Sequence, residues 1–250
     1  MKLLALESAT DACSVALSIN GDVTTDHRIE PQKHAQLLLP MIDELLIDAG
    51  ISTAQLDGIA FGCGPGSFTG VRIAAAATQG IAFGADIGVI AVSSLQALAQ
   101  GVIRNHSSQS NELSQSSQSN LRVFASFDAR MDEVYWGVYA AGANGVAEPL
   151  QQDSICSPQE VCVPKEAAEH EWALAGSGAD RYRDVLVAAV GANVSIQYIA
   201  DCWPSAQDVL SVAQPVANAN GFQSAELALP VYLRDRVALT EAQRAAGEQL

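Results

Sequence analysis

The chain has 250 residues, 49% of them hydrophobic and 16% charged, with 28 acidic against 13 basic residues for a net charge of −15. That length and apolar share suit a globular fold with a large core, as one large domain or two small lobes. The acidity, with the basic residues scattered, disfavours direct binding to bare nucleic acid or an anionic membrane, and five cysteines without a CxxC suit a reduced, cytosolic compartment.

Residues 3–6 predict a buried strand, and Glu7 cuts that apolar run too early for a signal peptide. A polar turn over 7–11 follows, then a strand over 14–19. Asn20-Gly21 is a hairpin signal, and 23–29 is the returning strand. His34 to Asp48 is helical by spacing, with Leu38, Met41, Ile42, Leu45, Leu46 and Ala49 facing the core. Pro40 either kinks this helix or marks its effective start, and Gly50 closes it.

A short apolar strand over 58–61 leads into Gly62-Cys63-Gly64-Pro65-Gly66-Ser67-Phe68-Thr69-Gly70-Val71-Arg72. Glycines between a strand and a helix mean that backbone comes close to something, whether a phosphate, a carbonyl or another protein surface. A P-loop fails, because Val71 and Arg72 follow Gly70. A dinucleotide fingerprint fails at its third glycine, and a nucleophile elbow fails at Pro65. The helix from Val71 to Phe83 is built of small and branched apolar residues, which lets a second helix pack closely. Arg72 is the only basic residue between Lys33 and Arg104.

A strand over 89–92 and a capping box, Ser93-x-x-Gln96, open a helix to about Ile103. The first half therefore reads βββαβαβα. Residues 105–120, with seven serines and three glutamines in sixteen positions, cannot pack a core and read as a flexible insert. Strands are predicted over 122–127, 134–139, 146–150, 172–175 and 195–200. Helices are predicted from Ser157, over 179–189 and over 205–213. The second half repeats the first more loosely, which argues for a duplicated α/β unit.

The duplicated plan resembles the two-lobed actin-like/RNase H-like ATPase fold of the actin, sugar-kinase and Hsp70 superfamily. Several strings narrow it. They are Leu4-Ala5-Leu6-Glu7-Ser8-Ala9-Thr10 with Cys13-Ser14-Val15-Ala16-Leu17, His34 with Leu38-Leu39-Pro40, and the run from Gly64 to Arg72. Asp128-Ala129-Arg130-Met131, Glu133-Val134-Tyr135-Trp136 and Pro230-Val231-Tyr232-Leu233-Arg234 complete the set. Together they resemble the bacterial TsaB family of tRNA threonylcarbamoyladenosine biosynthesis proteins.

That resemblance implies a non-catalytic partner and activator of a catalytic paralogue, TsaD, in modifying adenosine beside the anticodon. A small ATPase, TsaE, and self-association to a dimer are also implied, with tRNA met only through the complex. The superfamily's nucleotide site would map to Glu7, Ser8, Asp128, Gly176 and Gly178. It would be degenerate, since Glu7 stands where Asp is usual and Arg130 where glycine would admit phosphate. No tightly bound cofactor is expected, with ATP or ADP at the subunit interface as the open case. His34 has Leu38, not a second histidine, one turn on, so the paralogue's metal-binding pair is missing and no metal is expected. The absence of HExxH leaves a metalloprotease without support.

The surplus of apolar positions on the helices from His34 and Val71 suggests a partner interface. It takes in His34, Leu37, Leu38, Met41, Gly66, Ser67, Phe68, Thr69, Val71, Arg72, Ala74 and Ala75. The rival readings are an autonomous ATP-dependent transferase or kinase and a peptidase acting on the paralogue. The expected division is a first lobe over 1–104, joined by a segment from about 215–235, the insert over 105–120, a second lobe over 121–214 and a tail over 236–250.

Overall fold

The computed structural model describes residues 1–109, 120–142, 144–163, 170–191 and 194–234. Most of the Ser/Gln-rich insert and the tail over 236–250 lie outside the described residues.

The first five strands are β1 (Lys2–Glu7), β2 (Ala12–Ile19), β3 (Asp22–Ile29), β4 (Gly58–Gly62) and β5 (Gly88–Val92), and they form one sheet in the order β3-β2-β1-β4-β5. The first three pair antiparallel, and β4 and β5 join parallel. β1 and β2 are almost wholly buried because helices cover both faces of the sheet, which is why they read as continuous apolar runs. The polar β3 is the exposed edge. Asn20 and Gly21 turn the first hairpin with positive φ of 54° and 103°.

Helices α1 (His34–Asp48) and α2 (Phe68–Ala85) cover one face. Leu38, Met41, Ile42, Leu45 and Leu46 of α1 meet Leu4, Leu6, Val15 and Phe61 there, with Ala75 and Ala82 of α2. Helix α1 runs through Pro40 from His34, so Pro40 does not mark its start, and Ala49, expected in the core, is its exposed C-cap because the helix ends at Asp48. Helix α3 (Ser94–Gln109) passes the expected end at Ile103 and takes in the first residues of the Ser/Gln-rich stretch.

The second sheet holds β6 (Leu121–Arg130), β7 (Glu133–Ala141), β8 (Ala147–Pro149), β10 (Glu171–Ala175) and β11 (Ile196–Ile199), ordered β11-β10-β6-β7-β8, with β9 (Ser154–Cys156) also on β7. The duplicated plan is explicit, with β8 and β9 sharing the place of one third strand. Ser157 opens only a short 3-10 turn, Pro158–Glu160, among the described residues. Helices α4 (Ser177–Val190) and α5 (Ala206–Asn220) follow β10 and β11.

The two halves exchange helices. Leu95, Leu98, Val102 and Ile103 of α3 pack in the core of the second sheet, against Val123, Ala125 and Ala173. Val209, Leu210 and Ala213 of α5 pack on the first sheet, against Leu3, Ala5, Ala60 and Ile90. A boundary at 214 therefore falls inside a helix that belongs to the first sheet's core. Where α3 and α5 meet, Arg104 Nε lies 2.9 Å from Asp208 Oδ1. Burial pushes the Asp208 carboxyl above its usual range, while Arg104 pulls it back.

Candidate functional site

The glycine-rich loop between β4 and α2 is pinned by its own chain. Ser67 N donates to Ala9 O at 2.7 Å, Ser8 Oγ donates to Gly70 O at 2.9 Å, and Ser94 N donates to Gly64 O at 2.9 Å. A Cβ on Gly66 would stand 2.4 Å from Ala9 O, and one on Gly70 would stand 2.0 Å from Ser8 O. The close approach that the glycines permit is thus to carbonyls of the β1–β2 turn. Ser67 caps α2, its Oγ accepting from Gly70 N at 3.4 Å.

Glu7 ends β1 fully buried. Its Oε1 accepts from Ala9 N at 2.7 Å and its Oε2 accepts from Ser94 Oγ at 2.8 Å. Burial pushes its carboxyl up to about 7, against the pull of those hydrogen bonds. Gly62 leaves it room, since a Cβ there would lie 1.9 Å from Glu7 Oε2.

The second half repeats the arrangement. Gly176 has φ 94°, and a Cβ on it would lie 2.2 Å from Ser126 O, while one on Gly178 would lie 2.8 Å from Ser126 Oγ. Asp128, two residues on, accepts from Arg181 Nη1 at 2.8 Å and from Arg130 Nη1 at 3.1 Å through Oδ2, and from Arg130 N at 3.0 Å through Oδ1. Its backbone N donates to Ser177 Oγ at 3.1 Å. Glu7, Ser8 and Asp128 spend their polar atoms on the chain itself, and Gly176 and Gly178 lie against Ser126. Glu7 is fully buried, and the Asp128 charge is countered by Arg130 and Arg181, an arrangement unlike an open magnesium site. No cluster of three metal-ligating side chains occurs among the described residues.

The outward face of α1 and α2 is different in kind. Phe68, Thr69 and Arg72 of α2 are exposed, with Phe68 at 57%, and Leu39 and Ile47 of α1 are exposed beyond them. The Arg72 guanidinium carbon stands 3.3 Å from the Phe68 ring centre, and Arg72 Nε donates to Tyr232 Oη at 2.7 Å. Tyr232 is itself 50% exposed and arrives from a segment that also exposes Leu227, Leu229 and Val231. Phe68 and Tyr232 thus form an exposed aromatic pair around one organised cation.

The sequence profile of the family "TsaD: tRNA N6-adenosine threonylcarbamoyltransferase" matches residues 28–242. The tRNA threonylcarbamoyladenosine biosynthesis protein TsaB of Escherichia coli K12 is 34% identical over 238 residues, covering 95% of this chain and 96% of that protein. The chain belongs to the TsaB family. Its Haemophilus influenzae relative is 42% identical over 169 residues, 67% of this chain and 66% of that protein. The solved structure of YeaZ from Pseudomonas aeruginosa superposes with a TM-score of 0.79 at 40% identity, over 93% of this chain and 99% of that one. Membership places the chain among proteins of tRNA threonylcarbamoyladenosine biosynthesis, and no helix among the described residues is long and apolar enough to cross a membrane.

For this family member, several residues expected at a partner interface lie inside the fold. Leu38, Met41, Val71, Ala74 and Ala75 are buried in the core, because the α1–α2 face turned to the sheet needs them there. His34 is buried too, its Nε2 donating to Ala12 O at 3.3 Å. Leu37 and Gly66 are half-buried, and only Ser67, Phe68, Thr69 and Arg72 of the expected set are exposed. Arg72 is held by two rings of its own chain, Phe68 and Tyr232.

Sequence reasoning missed a polar cluster between the sheets. Ser93 Oγ donates to Asp153 Oδ2 at 2.5 Å, and Tyr139 Oη donates to Asp153 Oδ1. Burial pushes Asp153 upward. Ser93 does cap α3, accepting from Leu95 N and Gln96 N. The Gln96 side chain goes to Ala147 O instead, so the capping box is half-formed. No local pattern marks Asp153, whose partners are 14 and 60 residues away.

Proposed function

We propose that this chain is a non-catalytic partner and activator subunit of the machinery that forms N6-threonylcarbamoyladenosine beside the anticodon of tRNA. It acts by binding a TsaD-type catalytic paralogue through the exposed faces of α1 and α2. The observation that carries this reading is the Phe68–Arg72–Tyr232 patch: large apolar side chains stay in solvent around an ordered guanidinium. The burial of Glu7 and the pairing of Asp128 with Arg130 and Arg181 support a scaffold rather than an autonomous ATPase. In this reading ATP or ADP is held at the junction of subunits, a TsaE-type ATPase acts on the assembled pair, and the same face serves a homodimer when the paralogue is absent. tRNA is met through the complex, consistent with a net charge of −15.

The test is co-purification with the paralogue, joined to a tRNA-modification assay with and without this chain. Phe68→Glu is the informative variant, since Val71 and Ala75 are buried and changing them would disturb folding. Loss of both association and modification, with an unchanged melting temperature, is expected. Full modification by the paralogue alone would sink the activator role. Magnesium-dependent ATP hydrolysis by the purified chain, abolished by Asp128→Ala, would favour an autonomous enzyme.

A further inference from the structure

The segment after α5 crosses the whole molecule and passes through the docking patch. Gln223 pairs with Val89 at the edge of the first sheet, exchanging two hydrogen bonds of 2.9 Å. Ala225 O and Glu226 O then accept from Gln79 Nε2 of α2 at 3.5 and 3.4 Å. Val231 N donates to Cys63 O of the glycine-rich loop at 2.7 Å. Tyr232 reaches Arg72, its ring centre 6.1 Å from that of Phe68. Two residues later the strap arrives at the second sheet. Arg234 Nε donates to Glu133 Oε2 at 3.1 Å, its Nη2 also meets Glu133, and Nη2 donates to Ala129 O at 3.0 Å and Arg130 O at 3.3 Å.

That last anchor is a stiff one. Arg130, Met131 and Asp132 turn the β6–β7 hairpin with φ of 63°, 55° and 56°, each a left-handed conformation that costs a non-glycine residue about 1–2 kcal/mol. Such a turn persists only where its surroundings fix it. Here Asp128 Oδ1 accepts from Arg130 N, Arg181 grips Asp128, and Arg234 takes the two carbonyls that open the turn. The Arg234 side chain is only 16% exposed. Tyr232 is therefore held between two fixed points on different sheets, Cys63 O on one side and the hairpin on the other.

We infer that this strap is a working part of the docking surface: Tyr232 locks the Arg72 guanidinium over the Phe68 ring, and Arg234, tied to the second sheet, positions Tyr232. Among the described residues Arg72 makes its one hydrogen bond through Nε. The Nη fork is thus left to a carboxylate or backbone carbonyl of the paralogue, in the geometry that suits a planar guanidinium. Docking on the first sheet's helices then depends on the β6–β7 hairpin of the second. Arg234 is a positioning residue, acting through Tyr232 and Arg72. The inference rests on the proposed docking of a TsaD-type partner.

The experiment is calorimetric titration of the purified paralogue with the full chain and with Phe68→Glu, Tyr232→Phe, Arg234→Gln and the Tyr232→Phe/Arg234→Gln double variant. Hydrogen exchange of residues 226–233 in each unbound chain accompanies it. Phe68→Glu should weaken binding about a hundredfold. Tyr232→Phe and Arg234→Gln should each weaken affinity about three- to tenfold. The double variant should be about as weak as the weaker single one, because both changes release the same guanidinium. Arg234→Gln should also speed exchange across 226–233. Faster exchange with wild-type affinity would make the strap merely structural and overturn the inference, as would two effects that multiply. A wild-type chain that does not bind, or a Phe68→Glu chain that binds normally, would instead remove the docking reading on which it stands.

Discussion

The two glycine turns that feed α2 and α4 solve one steric problem and then diverge. In each, a glycine lies where a Cβ would strike a carbonyl near the end of the sheet's first strand, Ser8 O at 2.0 Å from Gly70 and Ser126 O at 2.2 Å from Gly176. The second turn does this with Gly176 alone between β10 and α4. The first inserts Cys63 to Ser67 between β4 and α2. The extra residues do outward work: Cys63 O holds the strap, and Ser67 starts a helix whose first turn exposes Phe68 and Thr69. The packing is alike in the two halves, and the first adds an exposed surface.

The largest effect tests the shared part. Gly70→Ala and Gly176→Ala should each lower unfolding stability by about 3 kcal/mol, since neither carbonyl can retreat without its strand. Urea midpoints for both would show it, and tolerance of either would break the equivalence. The next tests the divergent part. Phe68→Glu should weaken binding of the paralogue about a hundredfold, while Asp184→Arg, on the exposed side of α4, should leave it unchanged. Equal losses would mean that both helices face the partner.

The third prediction separates the two strand ends, since Glu7 is a buried acid and Ser126 is not. Folding raises the Glu7 carboxyl from 4.5 to about 7, so the folded chain keeps a proton that the unfolded chain releases. That contribution is full below pH 4.5 and is lost as pH rises through 7. Glu7→Gln should therefore flatten stability across that window and be more stable than the native chain above it, read as urea midpoint against pH. An unchanged slope would place the titration elsewhere. Smaller still, Ser67→Ala removes the α2 cap and should cost about 1 kcal/mol. The smallest is Ser126→Ala. Its hydroxyl is buried without a partner among the described residues, so the change should be within about 0.5 kcal/mol of neutral or stabilising.

Much of the fold was written locally. Asn20-Gly21, the helical spacing from His34 to Asp48 and the repeat of three strands before alternating αβ elements all encode short-range geometry, and the strings from Gly64 to Arg72 carry the family. The candidate surface was less legible. Apolar excess on α1 and α2 says that two faces are covered but not which residue faces which, so Leu38 and Met41 read as both core and interface, and Val71, Ala74 and Ala75 as interface, where the fold buries all five. Arg72 stood out by its isolation, yet its partner Tyr232 lies 160 residues away.

By itself, the sequence determined the doubled α/β plan, the family, and a loop whose backbone must approach another group, because periodicity, turn chemistry and glycine placement act over a few residues. Tertiary structure alone decided that this group is the β1–β2 turn, that α3 and α5 are exchanged between sheets, and that Phe68, Arg72 and Tyr232 meet at the surface. Those outcomes depend on which distant segments share a core. Burial and long-range hydrogen bonds settle that only when the whole chain has closed on itself.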